Sequence, residues 1–162
     1  MIAPRLFTIS REGPGQLFTM AAPRGGDWLR EEMQALKFLG VHTVVSMLTA
    51  TENRELDLTD EAEAALEAGL RFVTMPTPDR ETPTRTPTWA LARSLVDDLQ
   101  ADHGVAIHCR AGIGRSSLLA AAVLWLEGIP ADEAWDRISR ARGLPVPDTD
   151  AQRQFIRPHQ DA

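Results

Sequence analysis

The stretch from residue 105 to residue 117 constrains the fold more than any other part of the chain, because it joins a buried strand to a buried helix through a glycine-containing loop. It reads Val-Ala-Ile-His-Cys-Arg-Ala-Gly-Ile-Gly-Arg-Ser-Ser. The apolar, β-branched start predicts a strand, and residues 116–126 predict a helix. In the loop between them, backbone N–H groups and the positive end of the helix dipole converge, and together they favour a tetrahedral oxyanion.

This loop holds the only cysteine of the chain, Cys109, and an arginine six positions later, Arg115. Unpaired helix amides and a guanidinium both stabilise a thiolate relative to a thiol, so we expect Cys109 to be ionised at neutral pH. Arg115 offers a planar fork to two oxygens of a phosphoryl group. The hydroxyl of Ser116 is placed to donate to the sulfur. The alternative interpretation is a buried, inert cysteine in a helix-capping loop.

The order His108-Cys109, five residues, Arg115-Ser116 resembles the signature loop of cysteine-dependent protein-tyrosine phosphatases of the compact, dual-specificity-like type. Rhodanese-type sulfurtransferases have a similar loop, but it is typically one residue shorter. The resemblance implies an α/β fold with a central, mostly parallel sheet of about five strands and about six flanking helices. It also implies that Cys109 is the nucleophile. The substrate phosphate would then be bound by Arg110, Ala111, Gly112, Ile113, Gly114 and Arg115.

The chemistry also requires an acid, for which Asp79 is the candidate. A thiolate that displaces an alkoxide or phenoxide needs a proton donor for the departing oxygen. Asp79 lies thirty residues before Cys109, in a proline-rich loop after a predicted strand, and strand ends of a parallel sheet share one edge. Its Pro-x-Pro-Asp context resembles the general-acid loop of compact phosphatases. Glu81 is the rival on this loop, and a turn-forming aspartate is the structural alternative.

Three further residues are assigned supporting roles. His108 lies beside the nucleophile at a strand end, so its side chain should point away from the sulfur and fix the loop by hydrogen bonding. The resemblance implies that Glu52 supports Arg115 and that Gln152 orients the hydrolytic water. For Glu52 the alternative is a side chain on a solvated acidic helix, and for Gln152 it is an exposed helix residue. Arg142 ends a helix, where a cation suits the dipole, and is interpreted as structural.

Strand and helix patterns alternate along the chain and predict one domain, residues 1–162. A Gly13-Pro14-Gly15 turn predicts a hairpin. The acid-rich segment 52–67 predicts one solvated helix with Ala62, Ala65 and Leu66 turned inward. The predicted strands are 6–9, 16–20, 41–48, 70–75 and 105–107. The predicted helices are 27–39, 52–67, 87–102 with Thr86 as its cap, 116–126, one between Pro130 and Gly143, and 148–156, stopped by Pro158.

Charge and cysteine content limit the possible partners and location. The net charge of −6 argues against nucleic acid or an anionic membrane as the general partner. A single cysteine excludes an intramolecular disulfide and fits a reducing compartment, and no secretory signal is recognised at residues 1–10. The longest apolar run, 118–126, is far shorter than the roughly 20 residues that span a bilayer. We therefore expect a cytoplasmic protein. No metal or cofactor is implied, because nothing shows ligand spacing.

These features predict an enzyme that hydrolyses phosphate monoesters through a phosphocysteine intermediate. Phosphoinositide phosphatases often carry lysines in the loop, where this chain has Ala111 and Ile113, so a phosphorylated protein is the expected substrate. The chain has no tyrosine to stack on a phosphotyrosine ring, so mixed specificity remains open. Arg80 and Arg85 are candidates for binding a second phosphate group of the substrate. The alternative substrate is therefore a phosphoinositide or a small phosphate ester. A further alternative is a module that binds phosphorylated partners without turnover.

Overall fold

The computed structural model describes residues 3–156 and contains one five-stranded sheet with seven helices around it. The strands are β1 (Phe7–Thr8), β2 (Leu17–Met20), β3 (Val41–Ser46), β4 (Arg71–Thr74) and β5 (Gly104–His108). The helices are α1 (Leu29–Phe38), preceded by a 3-10 turn (Gly26–Trp28), α2 (Ala50–Glu55), α3 (Glu61–Glu67), α4 (Arg85–Gln100), α5 (Arg115–Leu126), α6 (Ala131–Arg142) and α7 (Asp150–Gln154).

The strand order is β1-β2-β5-β3-β4, and all strands except β1 are parallel. Residues 105–107 of the central strand β5 are fully buried, because helices cover both faces of the sheet. Val105 and Ile107 belong to the core cluster that includes α4, α5 and α6. Ala106 belongs to the cluster that includes α1 and α3. The parallel pairing brings the carboxyl ends of four strands to one edge, where β5 leads directly into Cys109.

The predicted fold class and the order of the strands and helices are confirmed, with their ends shifted by a few residues. The β1-β2 hairpin is antiparallel as predicted. The helix α5 is buried along residues 115–124, because α4 and α6 pack against it. The fully apolar run therefore forms an internal helix of the domain core.

The acid-rich segment 52–67 differs from the prediction, because it forms two helices, α2 and α3, instead of one. Between them Asp57 has a φ of 58°, and Leu58 turns into the core, where it is 2 % exposed. Burying a leucine contributes roughly 1.5–3 kcal/mol, which offsets the cost of about 1–2 kcal/mol for one left-handed residue. The predicted inward face was also wrong in part. The buried residues of α3 are Glu61, Ala64 and Ala65, whereas Ala62 and Leu66 are exposed.

Two other helices differ at their ends. The helix α4 begins at Arg85 with Thr84 at the capping position, so the predicted cap Thr86 lies inside the helix. Pro87 falls in the first turn, where its missing N–H costs no helical hydrogen bond. The helix α7 is shorter than predicted, and Pro158 lies outside the described residues. Within residues 3–156, no helix has the length and apolar character needed to cross a bilayer.

Candidate active site

The loop 109–114 connects β5 to α5, and two glycines allow it to curl against neighbouring chain segments. Gly112 has a φ of 72°, and a Cβ atom there would lie 2.8 Å from the carbonyl carbon of Met20. A Cβ atom on Gly114 would lie 2.5 Å from Oδ2 of Asp148. At Gly112 the neighbouring atoms are backbone and φ is positive, which explains why glycine is required there. At Gly114 the neighbouring atoms are the side-chain ends of Asp148 and Gln152, which a larger residue would have to move.

A pocket of about 170 Å³ opens above this loop and is lined by charged groups of both signs. Cys109 lies in the lining and is only 3 % exposed. Its sulfur is 3.2 Å from the hydroxyl oxygen of Ser116, within hydrogen-bonding distance. The lining residues are Asp79, Arg80, Cys109, Arg110, Ala111, Ile113, Gly114 and Asp148. The structure thus brings the cysteine, its loop and the candidate acid to one small space.

Arg115, the first residue of α5, is almost completely buried, and most of its donors have partners. Nη1 and Nη2 donate to the two carboxylate oxygens of Glu52 at 2.7 and 2.9 Å. Nη1 also donates to the backbone oxygen of Thr77 at 2.7 Å, and Nη2 lies 3.3 Å from Oδ1 of Asp79. Nε is buried without a partner among the described residues. An unpaired buried donor costs roughly 1–3 kcal/mol. Arg115 itself is not among the residues that line the pocket, and its link to the pocket is the contact with Asp79.

Glu52 and Arg115 hold each other in the charged state. Burial alone would lower the pKa of Arg115, but the hydrogen bonds to Glu52 and the nearby Cys109, Glu52 and Asp79 charges raise this pKa above its ordinary value. The hydrogen bonds from Arg115 lower the pKa of Glu52 against the opposing effect of burial, helped by the backbone N–H of Thr49. Thr49 and Glu52 also form the capping box of α2, which orients the carboxylate toward the guanidinium.

Asp79 and its rival Glu81 occupy different positions on the loop after β4. Asp79 lines the pocket with Cys109, and its side chain is 57 % exposed. Glu81 is not among the residues that line this pocket. Its backbone oxygen accepts a hydrogen bond from Nε2 of Gln152 at 3.2 Å. Of the two acids, only Asp79 therefore shares the pocket with Cys109.

Gln152 is fully buried, so the alternative of an exposed helix residue is wrong. Its Oε1 accepts hydrogen bonds from the backbone N–H groups of Asp148 and Thr149 at 3.1 and 3.2 Å, while Nε2 holds Glu81. The amide thereby ties the loop that carries Asp79 to the segment that precedes α7. A role for Gln152 in orienting water stays a prediction.

A contact between His108 and Glu61 lies behind the loop and was not predicted. His108 is fully buried, and its Nε2 is 2.6 Å from Oε2 of Glu61, which is also buried. The other ring nitrogen, Nδ1, is 3.4 Å from the backbone oxygen of Cys109. The imidazole therefore contacts the backbone and not the sulfur. In the sequence, Glu61 is one acid of an acid-rich segment, and nothing there separates it from its solvated neighbours.

Arg80 and Arg85 do not share a site. Arg80 lines the pocket and adopts a left-handed φ of 66°. Arg85 donates to the backbone oxygen of Phe155 at 3.1 Å and stacks over the Phe155 ring. Only Arg80 is therefore placed beside the loop.

With this sheet and this loop, the chain has the fold of the cysteine-dependent protein-tyrosine phosphatases, as solved structures of that class show. Residues 18–128 match the model of the Tc-R-P family, described as a DSP-PTPase phosphatase of polymorphic toxin systems. The chain belongs to this family.

Individual known proteins share its fold or part of its sequence. The structure of kinase-associated phosphatase with serine at its catalytic-site cysteine superimposes with a TM-score of 0.83 at 20 % identity, covering 95 % of this chain and 92 % of that one. PTPMT1 in complex with PI(5)P gives a TM-score of 0.69 at 21 % identity, covering 86 % and 88 %. The cyclin-dependent kinase inhibitor 3 of Mus musculus is 25 % identical over 134 residues, or 82 % of this chain. The chain spans 64 % of the length of that curated relative.

Proposed function

We propose that this protein hydrolyses phosphate monoesters through a phosphocysteine intermediate, with Cys109 as the nucleophile. The observation that carries the proposal is the convergence of three groups. Cys109 and Asp79 line one pocket, and Oδ1 of Asp79 lies 3.3 Å from Nη2 of Arg115. Nε of the same guanidinium has no partner among the described residues. A nucleophile, an acid and an oxyanion-binding cation are the groups that this reaction requires.

In the first step, the Cys109 thiolate attacks phosphorus and the bond from phosphorus to the ester oxygen breaks. Asp79, protonated, gives its proton to that departing oxygen. Arg115 and the backbone N–H groups of the loop bind the phosphoryl oxygens as their charge develops. In the second step, Asp79 takes a proton from water as the water oxygen attacks phosphorus. The sulfur leaves as a thiolate that accepts a hydrogen bond from Ser116, and inorganic phosphate is released.

Hydrolysis of an aryl phosphate tests this mechanism. Cys109→Ser should abolish turnover while retaining oxyanion binding, since the loop and Arg115 are unchanged. Asp79→Asn should slow a phenyl phosphate by about 10²- to 10⁴-fold, whereas Glu81→Gln on the same loop should have little effect. Turnover by Cys109→Ser would disprove the phosphocysteine step. Equal rates for wild type and Asp79→Asn would assign the proton transfer to another group.

For the substrate, we propose a phosphorylated protein, with phosphotyrosine or mixed phosphotyrosine and phosphoserine/threonine specificity. The loop residues Ala111 and Ile113 supply no extra cation to the pocket. A second candidate is a phosphoinositide or small phosphate ester with another anionic group, because Arg80 lines the pocket and no partner for it is found within residues 3–156. Comparing wild type with Arg80→Met on phosphopeptides and on inositol phosphates distinguishes the two. If Arg80→Met lost activity on inositol phosphates but not on phosphopeptides, the second candidate substrate would be favoured.

A purely phosphate-binding protein would bind vanadate and release no product from any ester, and that outcome would remove the enzyme proposal. A sulfurtransferase would instead transfer sulfur from thiosulfate to cyanide. We further propose that residues 1–162 form a single phosphatase domain and act in the cytoplasm, where one unpaired cysteine stays reduced. Limited proteolysis and fractionation of cells expressing the chain test these two points.

A further inference from the structure

Arg142, the last residue of α6, reaches from the helix to the active-site loop. Its Nε donates to the backbone oxygen of Gly112 at 3.2 Å, and its Nη2 donates to the backbone oxygen of Ala111 at 3.2 Å. The guanidinium carbon lies 4.4 Å from the centre of the Phe7 ring, which supports it from β1. These contacts go beyond the favourable position of a cation at a helix end, which was the only role predicted for Arg142.

Together with one further hydrogen bond, Arg142 holds three consecutive carbonyl groups of the loop. The backbone oxygen of Arg110 accepts a hydrogen bond from the backbone N–H of Ala22 at 3.1 Å. In a planar trans peptide, the N–H points opposite to the C=O. Anchoring the oxygens of Arg110, Ala111 and Gly112 therefore orients the N–H groups of the next residues, 111–113, in the opposite direction.

Those three N–H groups are available to a ligand. Within residues 3–156, none of them donates a hydrogen bond to another group of the chain. Ala111 and Ile113 also line the pocket that contains Cys109. Consecutive backbone N–H groups that have no acceptor within the chain and lie beside a pocket are an arrangement that binds an oxyanion.

We propose that Arg142 is a positioning residue, which sets the direction of the phosphate-binding N–H groups by holding the carbonyl oxygens of Ala111 and Gly112 from outside the pocket. The inference rests on the proposed function, because it concerns the same site. The planar fork is essential to it, since two N–H groups of one guanidinium hold two neighbouring oxygens at once. A lysine at this position could hold only one of them firmly.

The test uses Arg142→Met, which keeps the aliphatic stem, and Arg140→Met as the matched control. Arg140 lies in the same last turn of α6, is exposed, and lines a different surface depression with Thr8 and Ser10. Each change removes one positive charge from that turn. In a Cys109→Ser background, we expect Arg142→Met to weaken tungstate binding, measured by calorimetry, by about 10- to 100-fold. Arg140→Met should change it by less than about twofold.

In the active enzyme, kcat/KM for an aryl phosphate should fall with Arg142→Met by a similar factor, and inhibition by vanadate should weaken in parallel. Equal tungstate affinity in Arg142→Met and its parent would overturn the inference, and so would an equal loss in Arg140→Met, which would indicate a general charge effect. If Arg142→Met does not fold, Arg142→Lys decides, because unchanged affinity in that variant would show that a single cation suffices.

The two proposals fail in different ways. If Cys109→Ser binds tungstate and Arg142→Met weakens that binding while the wild-type protein hydrolyses no ester, the enzyme proposal fails and the positioning role of Arg142 stands. If wild type hydrolyses esters and Arg142→Met does so equally well, the enzyme proposal stands and the positioning role fails.

Discussion

The buried pair of Glu52 and Arg115 allows the strongest quantitative test of how the site is held together. In Glu52→Gln, an amide of nearly the same size replaces the carboxylate, but its NH2 group faces a guanidinium N–H group and cannot accept from it. The Glu52 side chain is 9 % exposed and that of Arg115 is 1 % exposed. Solvent therefore does not reach the guanidinium to replace the lost interaction.

Removing one partner of a buried ion pair costs about 3–5 kcal/mol. Asp79 lies 3.3 Å from the same guanidinium and supplies part of the lost negative charge, so we expect the lower end, about 3 kcal/mol. For a domain of this size, each kcal/mol lowers Tm by about 2–4 °C, which predicts a decrease of about 6–12 °C. The control is Glu55→Gln on the same helix, whose carboxylate pairs with Arg110 at 3.1 Å and is 53 % exposed. That change should cost roughly 0–1 kcal/mol.

The pH dependence has a definite sign. Arg115 lowers the pKa of Glu52 below its ordinary value of 4.5, so below about pH 4.5 the unfolded state binds more protons at this carboxyl than the folded state does. The stabilisation that Glu52 provides is present above that pH and is lost as the pH falls through the folded-state pKa. Urea denaturation from neutral to acidic pH should therefore show the gap between wild type and Glu52→Gln shrinking below pH 4.5. The reasoning would be refuted if, at neutral pH, Glu52→Gln lowered the free energy of unfolding no more than Glu55→Gln does. It would also be refuted if the difference between wild type and Glu52→Gln persisted in acid.

Three other substitutions test separate parts of the structure. Glu61→Gln weakens the 2.6 Å contact with buried His108 and should lower the free energy of unfolding by about 1–3 kcal/mol, measured with urea; no change would mean that the pair contributes nothing to stability. Ser116→Ala removes the hydroxyl that lies 3.2 Å from the Cys109 sulfur and should slow phosphocysteine hydrolysis by roughly 10- to 100-fold. Stopped-flow measurements should then show a burst of aryl alcohol before the steady state. A single phase at the wild-type rate would contradict this expectation. Leu95→Ala removes part of a fully buried side chain and should lower the free energy of unfolding, measured with urea, by about 2–5 kcal/mol, with kcat nearly unchanged. A variant of normal stability would show that the surrounding core repacks without leaving a cavity.

The local parts of the site could be predicted because each lies within a few residues of its neighbours. Cys109, Arg115 and Ser116 occupy one turn and the start of one helix, where spacing determines which groups meet. Asp79 could be placed because parallel strands end at one edge of the sheet. The link between Arg142 and Gly112 joins residues 30 positions apart. The sequence predicts that the helix ends before Gly143, but no periodicity indicates that this end packs against the loop 109–114.

The sequence by itself determined the strand-loop-helix unit and the order of the secondary structure elements. It could do so because hydrophobic periodicity and the backbone conformations that only glycine adopts readily are local properties. The tertiary structure alone decided that Glu61 is buried against His108, whereas for Glu52 it agrees with the role that the family resemblance implied. Seven acids occupy residues 52–67. Of these, Glu52 is buried against Arg115 and Glu61 against His108. Which of these acids are buried depends on the break at Leu58, because it sets the rotation of α2 and α3 about their axes. It also depends on the cost of removing a carboxylate from water, which is offset only where packing brings a partner to the carboxylate.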